Sequence, residues 1–154
     1  DVVLLALPYD LTGVETMSLF DDRFRLAART GTALVDPQHY RFNRLNEGSV
    51  LLLREGHCLR EHAIDACRIR DARKRSRVSA SSLLTLIEMV DADLGITFLP
   101  EMAVGSALLQ ATQVKTYPLG DKSYRTIALA WRRGSARAAE FRALGEFIAA
   151  RRGG

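Results

Sequence analysis

Residues 50–53 form an uninterrupted apolar run, Val-Leu-Leu-Leu, that stops at Arg54-Glu55-Gly56 and gives way to a helical pattern. Four such residues bounded by a turn signal read as a strand buried on both faces. From about Leu59 onward, Leu59, Ala63, Ala66 and Cys67 fall at i, i+4, i+7 and i+8, which is one face of an α-helix. A buried strand feeding a helix through a glycine turn is the unit from which α/β folds are built, and such folds commonly place their sites at that junction. Here the junction holds Gly56-His57-Cys58, and the helix after it ends in the second of two cysteines.

Cys58 falls at the helix start, where unpaired backbone N–H groups and the positive end of the dipole favour an anion. The position therefore favours thiolate. His57 and Arg60 add positive charge alongside, and thiolate character is what makes a cysteine reactive toward oxidants. Cys58 is the candidate reactive thiol, and Cys67 faces a core. Nine residues of helix rise about 13.5 Å, whereas a disulfide needs Cα atoms about 4.4–6.8 Å apart. The pair cannot bond while the helix is intact, so pairing would turn oxidation into refolding of a segment. The competing reading is two unrelated cysteines, one partly exposed and one a small core residue.

The rest of the chain supplies further strands and helices. Residues 1–7 read as a buried strand of the kind found in parallel sheets, and it begins abruptly, which implies a fragment of a longer protein. A turn is expected at 8–13, then two short strands at 16–19 and 24–28 around Asp21-Asp22-Arg23. Residues 37–40 and 44–48 read as a short helical turn and its stop, with His39 a loop residue. The basic run 68–77 reads as a solvated, mobile loop, followed by a short strand at 78–80. Ser81 or Ser82 caps a helix whose buried face carries Leu83, Leu86, Ile87 and Val90. A strand at 96–99 leads through Pro100 into a helix over 101–110. Strands at 114–119 and 124–131 follow, and a helix over 138–151 presents Phe141, Leu144, Phe147 and Ile148.

Hydrophobic residues make up 47% of the 154 and charged residues 26%, ordinary values for a globular domain. No stretch approaches the roughly 18 apolar residues of a membrane span, and no signal peptide is visible. These features imply a cytoplasmic protein with no membrane partner, and they imply no metal or cofactor. A cytosolic cysteine pair is more often catalytic or redox-sensing than structural. The net charge of +4 is mild and spread along the chain, so it does not by itself imply nucleic acid.

The stretch VLLLREGHCLREHAIDAC at 50–67 resembles the redox-sensing segment of the OxyR group, the hydrogen-peroxide-responsive branch of the LysR-type transcription regulators. Ser81-Ser82-Leu83-Leu84-Thr85-Leu86, Gly95-Ile96-Thr97-Phe98-Leu99-Pro100, Arg125-Thr126-Ile127-Ala128-Leu129 and Arg133-Gly134-Ser135 recur in the order that family shows. The serine and GITFLP elements are class-level signals; GHCLRE with a cysteine nine residues on is the specific one.

The resemblance implies an α/β, periplasmic-binding-protein-like regulatory domain of two lobes. Residues 21–126 would form one complete lobe with the redox segment 56–67, and residues 1–20 and 127–154 the later elements of the other. The DNA-binding domain would be absent, so promoter DNA would be reached only through that missing N-terminal part. In this picture the protein is not an enzyme. Cys58 reacts with hydrogen peroxide and then pairs with Cys67, while His57, Arg60 and Arg125 stabilise the peroxide or the thiolate. A strand-end salt bridge is an equal alternative for Arg125. The partners implied are a second copy in a dimer or tetramer, RNA polymerase, and glutaredoxin or thioredoxin as reductant. The basic run at 68–77 departs from the family.

Three other readings stay open. A LysR-type effector domain could bind a small metabolite between its lobes, with Ser81 and Ser82 at the helix start carrying the function. A thiol peroxidase is disfavoured by the lack of a C-x-x-C or other thioredoxin-type arrangement. A solute-binding transport protein would need an export signal.

Overall fold

In the computed structural model the described residues are 1–9 and 12–152. They divide into two compact units, Asp1–Asp22 with Arg125–Gly154, and Arg23–Tyr124.

In the first unit, β1 (Val2–Leu7) pairs antiparallel with β7 (Tyr124–Arg132), from Val2 opposite Trp131 to Leu7 opposite Thr126. β1 is thus antiparallel and half open: Val3 and Leu4 are exposed, where the apolar run led us to expect a buried strand. An apolar run records the tolerance of a strand for burial, not the number of its neighbours. Of the expected turn at 8–13, Asp10 and Leu11 lie outside the described residues, and Thr12 and Gly13 form a turn. β7 is followed in the sheet by β2 (Val14–Arg29). The C-terminal helix α4 (Ala138–Arg152) joins a small core of Leu129, Trp131 and Phe141. A Cβ on Gly145 would lie 2.6 Å from the Met17 sulfur, so α4 sits against the strand through Phe141 and Gly145. Leu144 and Phe147 lie off that line and are exposed, contrary to the expected stripe.

β2 is one strand of 16 residues, not two short ones. The break suggested by Asp21-Asp22 does not occur because both carboxylates find cross-strand partners. Asp21 accepts from the Thr126 hydroxyl at 2.9 Å, and Asp22 accepts from Arg125.

In the second unit, the later half of β2 lies between β5 (Thr97–Pro100) and β6 (Val114–Pro118), antiparallel to both. Ile96, just before β5, bridges in parallel to Val50 of β3 (Val50–Leu53), and β3 pairs in parallel with β4 (Arg75–Ala80). A Cβ on Gly95 would come within 2.7 Å of both the Ser49 carbonyl and the Leu51 side chain, so only glycine fits that approach. All four residues of β3 are buried, as expected for a strand covered on both faces. Val50 and Leu52 enter a core with Phe24, Leu26 and Ala63, while Leu51 and Leu53 enter a second core with Leu86, Ile87 and Val90. The first core is roofed by α1 (Cys58–Ala66) and the second by α2 (Leu83–Asp91).

The short helical turn expected at 37–40 is only a bend and a turn, and a 3-10 turn stands further on, at Phe42–Arg44. Helix α3 covers only Glu101–Val104, because Gly105 ends it and a separate 3-10 turn follows at Ala107–Leu109. The basic run 68–77 is not a loose loop. It contains a 3-10 turn at Ala72–Lys74 and the start of β4, and it is pinned by backbone acceptors: Lys74 donates to the Leu45 carbonyl, and Arg75 to that of Ile69 at 2.6 Å.

Candidate redox site

β3 ends at Leu53, and the chain reverses over Arg54–His57. The His57 N–H donates to the Arg54 carbonyl at 3.3 Å, and Gly56 takes φ +83°, a conformation glycine adopts without strain. His57 is the N-cap of α1 and makes no side-chain capping bond. Cys58 is therefore the first helical residue, at the end where amide donors are unsatisfied. Its thiol is free and the residue exposed.

Arg60 is held close by. Its Nη1 donates to the Leu53 carbonyl at 3.1 Å, its Nε lies 3.3 Å from Glu61, and only 14% of its side chain is exposed. The guanidinium is thereby tied to the end of β3 that launches Cys58. His57 is exposed, and its carbonyl accepts from the Arg60 N–H at 2.9 Å.

Cys67 is the C-cap of the same helix and packs against the first core. The periodicity predicted that face, and Leu59, Ala63 and Ala66 share it. Burial pushes the Cys67 thiol up to about 12, which keeps it protonated. The phenol of Tyr40, also in this core and edge-on to Phe98, is pushed up by burial first and then by the nearness of Cys67. The unfolded thiol titrates near 8.5 while the native one keeps its proton, so the native state binds more protons in between. Stability should therefore be intact below about pH 8.5 and fall toward pH 12 by roughly 1.4 kcal/mol per unit. Urea denaturation across that range should show a shallower fall in Cys67→Ala.

The helix stop is a Schellman motif. Ile69 N–H donates to the Ile64 carbonyl at 2.9 Å and Arg68 N–H to that of Asp65 at 3.2 Å. Ile69 is fully buried beneath it. The left-handed position, usually glycine, is Arg68 with φ +54°. A non-glycine residue there costs about 1–2 kcal/mol, so the clamp beyond Cys67 is held under strain. Arg68→Gly is expected to raise the stability of the reduced protein by about 1 kcal/mol and to slow any disulfide formation that must open α1. Denaturation and stopped-flow thiol titration would check the two parts.

Arg125 lies in the first compact unit, where its Nε and Nη2 both donate to Asp22 Oδ2 at 3.0 and 2.9 Å. That is the strand-end salt bridge. Ser82 caps α2: its hydroxyl accepts the Thr85 N–H at 3.1 Å and lies 3.0 Å from the Thr85 hydroxyl, while Ser81 is exposed beside it. Of the candidate residues, the structure thus gathers His57, Cys58 and Arg60 at one end of α1, with Cys67 at the other. Among the described residues, no group of three or more His, Cys, Asp or Glu could hold a metal ion, and no helix is long and apolar enough to cross a membrane.

These features agree with what the chain matches. The LysR substrate binding domain family covers residues 1–153, and the chain belongs to it, with the periplasmic-binding-protein-like α/β fold of that family. Within the family its relatives include peroxide regulators. It is 38% identical over 146 residues to a probable hydrogen peroxide-inducible genes activator of Streptomyces viridosporus, covering 94% of this chain and 47% of that protein. The reduced regulatory domain of OxyR2 from Vibrio vulnificus superposes with a TM-score of 0.89 at 37% identity, covering 97% of this chain and 70% of that one. A further relative is the HTH-type transcriptional regulator EstR of Acinetobacter baylyi, 34% identical over 92% of this chain and 47% of that protein. The chain spans about half the length of these curated relatives.

Proposed function

We propose that this chain is the redox-sensing regulatory domain of a hydrogen-peroxide-responsive LysR-type transcription regulator. The observation that carries the reading is one intact helix with an exposed thiol on its first residue and a half-buried thiol, packed against the core, at its C-cap. The Cys58 thiolate attacks one peroxide oxygen, the O–O bond breaks, and hydroxide leaves with the other oxygen. The sulfenic acid at Cys58 then condenses with the Cys67 thiol, forming the S–S bond and releasing water. Arg60 and His57 supply positive charge at the attacking sulfur. Arg125 is engaged by Asp22, and we give it that ion pair as its role.

The longer protein would bind promoter DNA through an N-terminal domain, act as a dimer or tetramer in the cytoplasm, and pass the change in α1 to RNA polymerase. A glutaredoxin or thioredoxin would reset the disulfide. It would signal once per oxidation rather than turn over as an enzyme. The metabolite-binding alternative has less support here, because the Ser82 hydroxyl is occupied by its own helix cap.

The test is treatment of the protein with slightly more than one equivalent of hydrogen peroxide, followed by non-reducing peptide mass mapping. A Cys58–Cys67 bridge is expected, and Cys67→Ser should stop at a trappable sulfenic acid on Cys58. Two unreacted thiols in the folded protein would overturn the proposal.

A further inference from the structure

On the far side of the Arg54–His57 turn from Cys58 in the sequence lies an open groove of about 410 Å³, lined by Arg54, Glu55, Arg60, Ser76, Arg77 and Ser79. All six residues belong to the second compact unit. Three guanidinium groups face one carboxylate. Some exposed arginines elsewhere are paired, Arg23 with Asp121, Arg73 with Asp71, Arg137 with Glu140 and Arg142 with Glu15, and others such as Arg29 and Arg70 stand as single charges outside this groove, unpaired among the described residues. What distinguishes the groove is that three arginines line it together. The side chains of Arg54 and Arg77 have no hydrogen-bond or ion-pair partner among the described residues, and Arg60 is fixed by the Leu53 carbonyl and by Glu61. The Ser76 and Ser79 hydroxyls add donors along β4, which pairs on one side only, with β3. Three guanidinium charges outnumber the two carboxylates beside them, Glu55 in the lining and Glu61 on Arg60, so an added anion is favoured there, and the guanidinium fork suits carboxylate and phosphate oxygens.

The geometry points to a binding site for a small organic anion carrying a phosphate or carboxylate group, held by Arg54, Arg60 and Arg77 with the two serines. The volume is in the range of small-ligand sites and exceeds the need of a bare inorganic ion. The site excludes Ser81 and Ser82, so it is distinct from the start of α2. Arg60 also stands two residues from Cys58, so an occupant that takes its free donors withdraws positive charge from the thiol. Resting on the redox function proposed above, this makes occupancy a brake on peroxide oxidation.

The test is calorimetric titration of the reduced protein with inorganic phosphate and, separately, with malonate, at constant ionic strength set by chloride. One saturable site is expected for at least one probe, and the tighter probe identifies the group recognised. The double variant Arg54→Gln/Arg77→Gln should weaken it by about tenfold or more, whereas Arg23→Gln should leave it unchanged. Absence of saturable binding to either probe, or equal affinity in the double variant, would overturn the site. Peroxide oxidation of Cys58, followed with and without the bound probe, should be several-fold slower when the site is filled; an unchanged rate would remove the brake. If Cys58 does not oxidise at all while the probe still binds, the redox function fails and the site stands. If Cys58 oxidises and no probe binds, the site alone fails.

Discussion

Asp22→Ala is expected to destabilise the protein by about 3–5 kcal/mol, the loss typical when one partner of a buried ion pair is removed. The Asp22 side chain is completely buried and that of Arg125 only 14% exposed, and both donors of the guanidinium edge fall on one carboxylate oxygen. Taking the carboxylate away removes two charge-assisted hydrogen bonds from a guanidinium that is mostly out of water. Desolvation and attraction nearly cancel in such a pair, so an apolar replacement of both partners should behave differently from removal of one. Asp22→Leu/Arg125→Met is expected to recover most of the loss. Urea denaturation of the three proteins checks this, and a loss below about 1 kcal/mol in Asp22→Ala, the range of exposed pairs, would show that the pair does not anchor the strand.

Oxidation to a Cys58–Cys67 disulfide is expected to abolish amide protection throughout α1. The two residues stand at opposite ends of a helix about 13.5 Å long, and closing them to about 5.5–6 Å cannot leave its hydrogen-bond ladder in place. The Schellman bonds from Arg68 and Ile69 should open with it, since Cys67 must leave the core they close. Hydrogen exchange read by mass spectrometry on peptides spanning residues 58–70 should show slow exchange in the reduced protein and exchange near the unstructured rate in the oxidised one. Peptides from α2 should change little. Retained protection across α1 in a mass-verified disulfide form would mean that the bond forms without refolding.

The strands around the site were legible because their residues are apolar on both faces or alternate cleanly, and the α1 face was legible from Leu59, Ala63 and Cys67. Helix α2 was equally readable from its serine cap and its buried stripe. Local patterns failed where the answer lay far along the chain. Asp21 and Asp22 look like a strand break until Thr126 and Arg125 arrive to hold them. The basic run looks solvated until Leu45 and Ile69 present carbonyls to it. Leu144 and Phe147 have helical spacing, but the close approach at Gly145 turns them away from the contact. The arginine groove could not be seen either, because Arg54 and Arg77 meet only once β3 and β4 lie side by side.

Because alternate residues of β3 face different cores, the strand acts as an insulator. Unwinding α1 disturbs the packing on Val50 and Leu52, whereas Leu51 and Leu53 keep α2 seated, with Leu59 the one α1 side chain that reaches both cores. A signal that must be read by another molecule needs a stationary mark to be read against. On the redox function proposed above, β3 would supply it: the α1 side would move, the α2 side would stay as the datum, and oxidation would be reported as a displacement rather than as a general loosening.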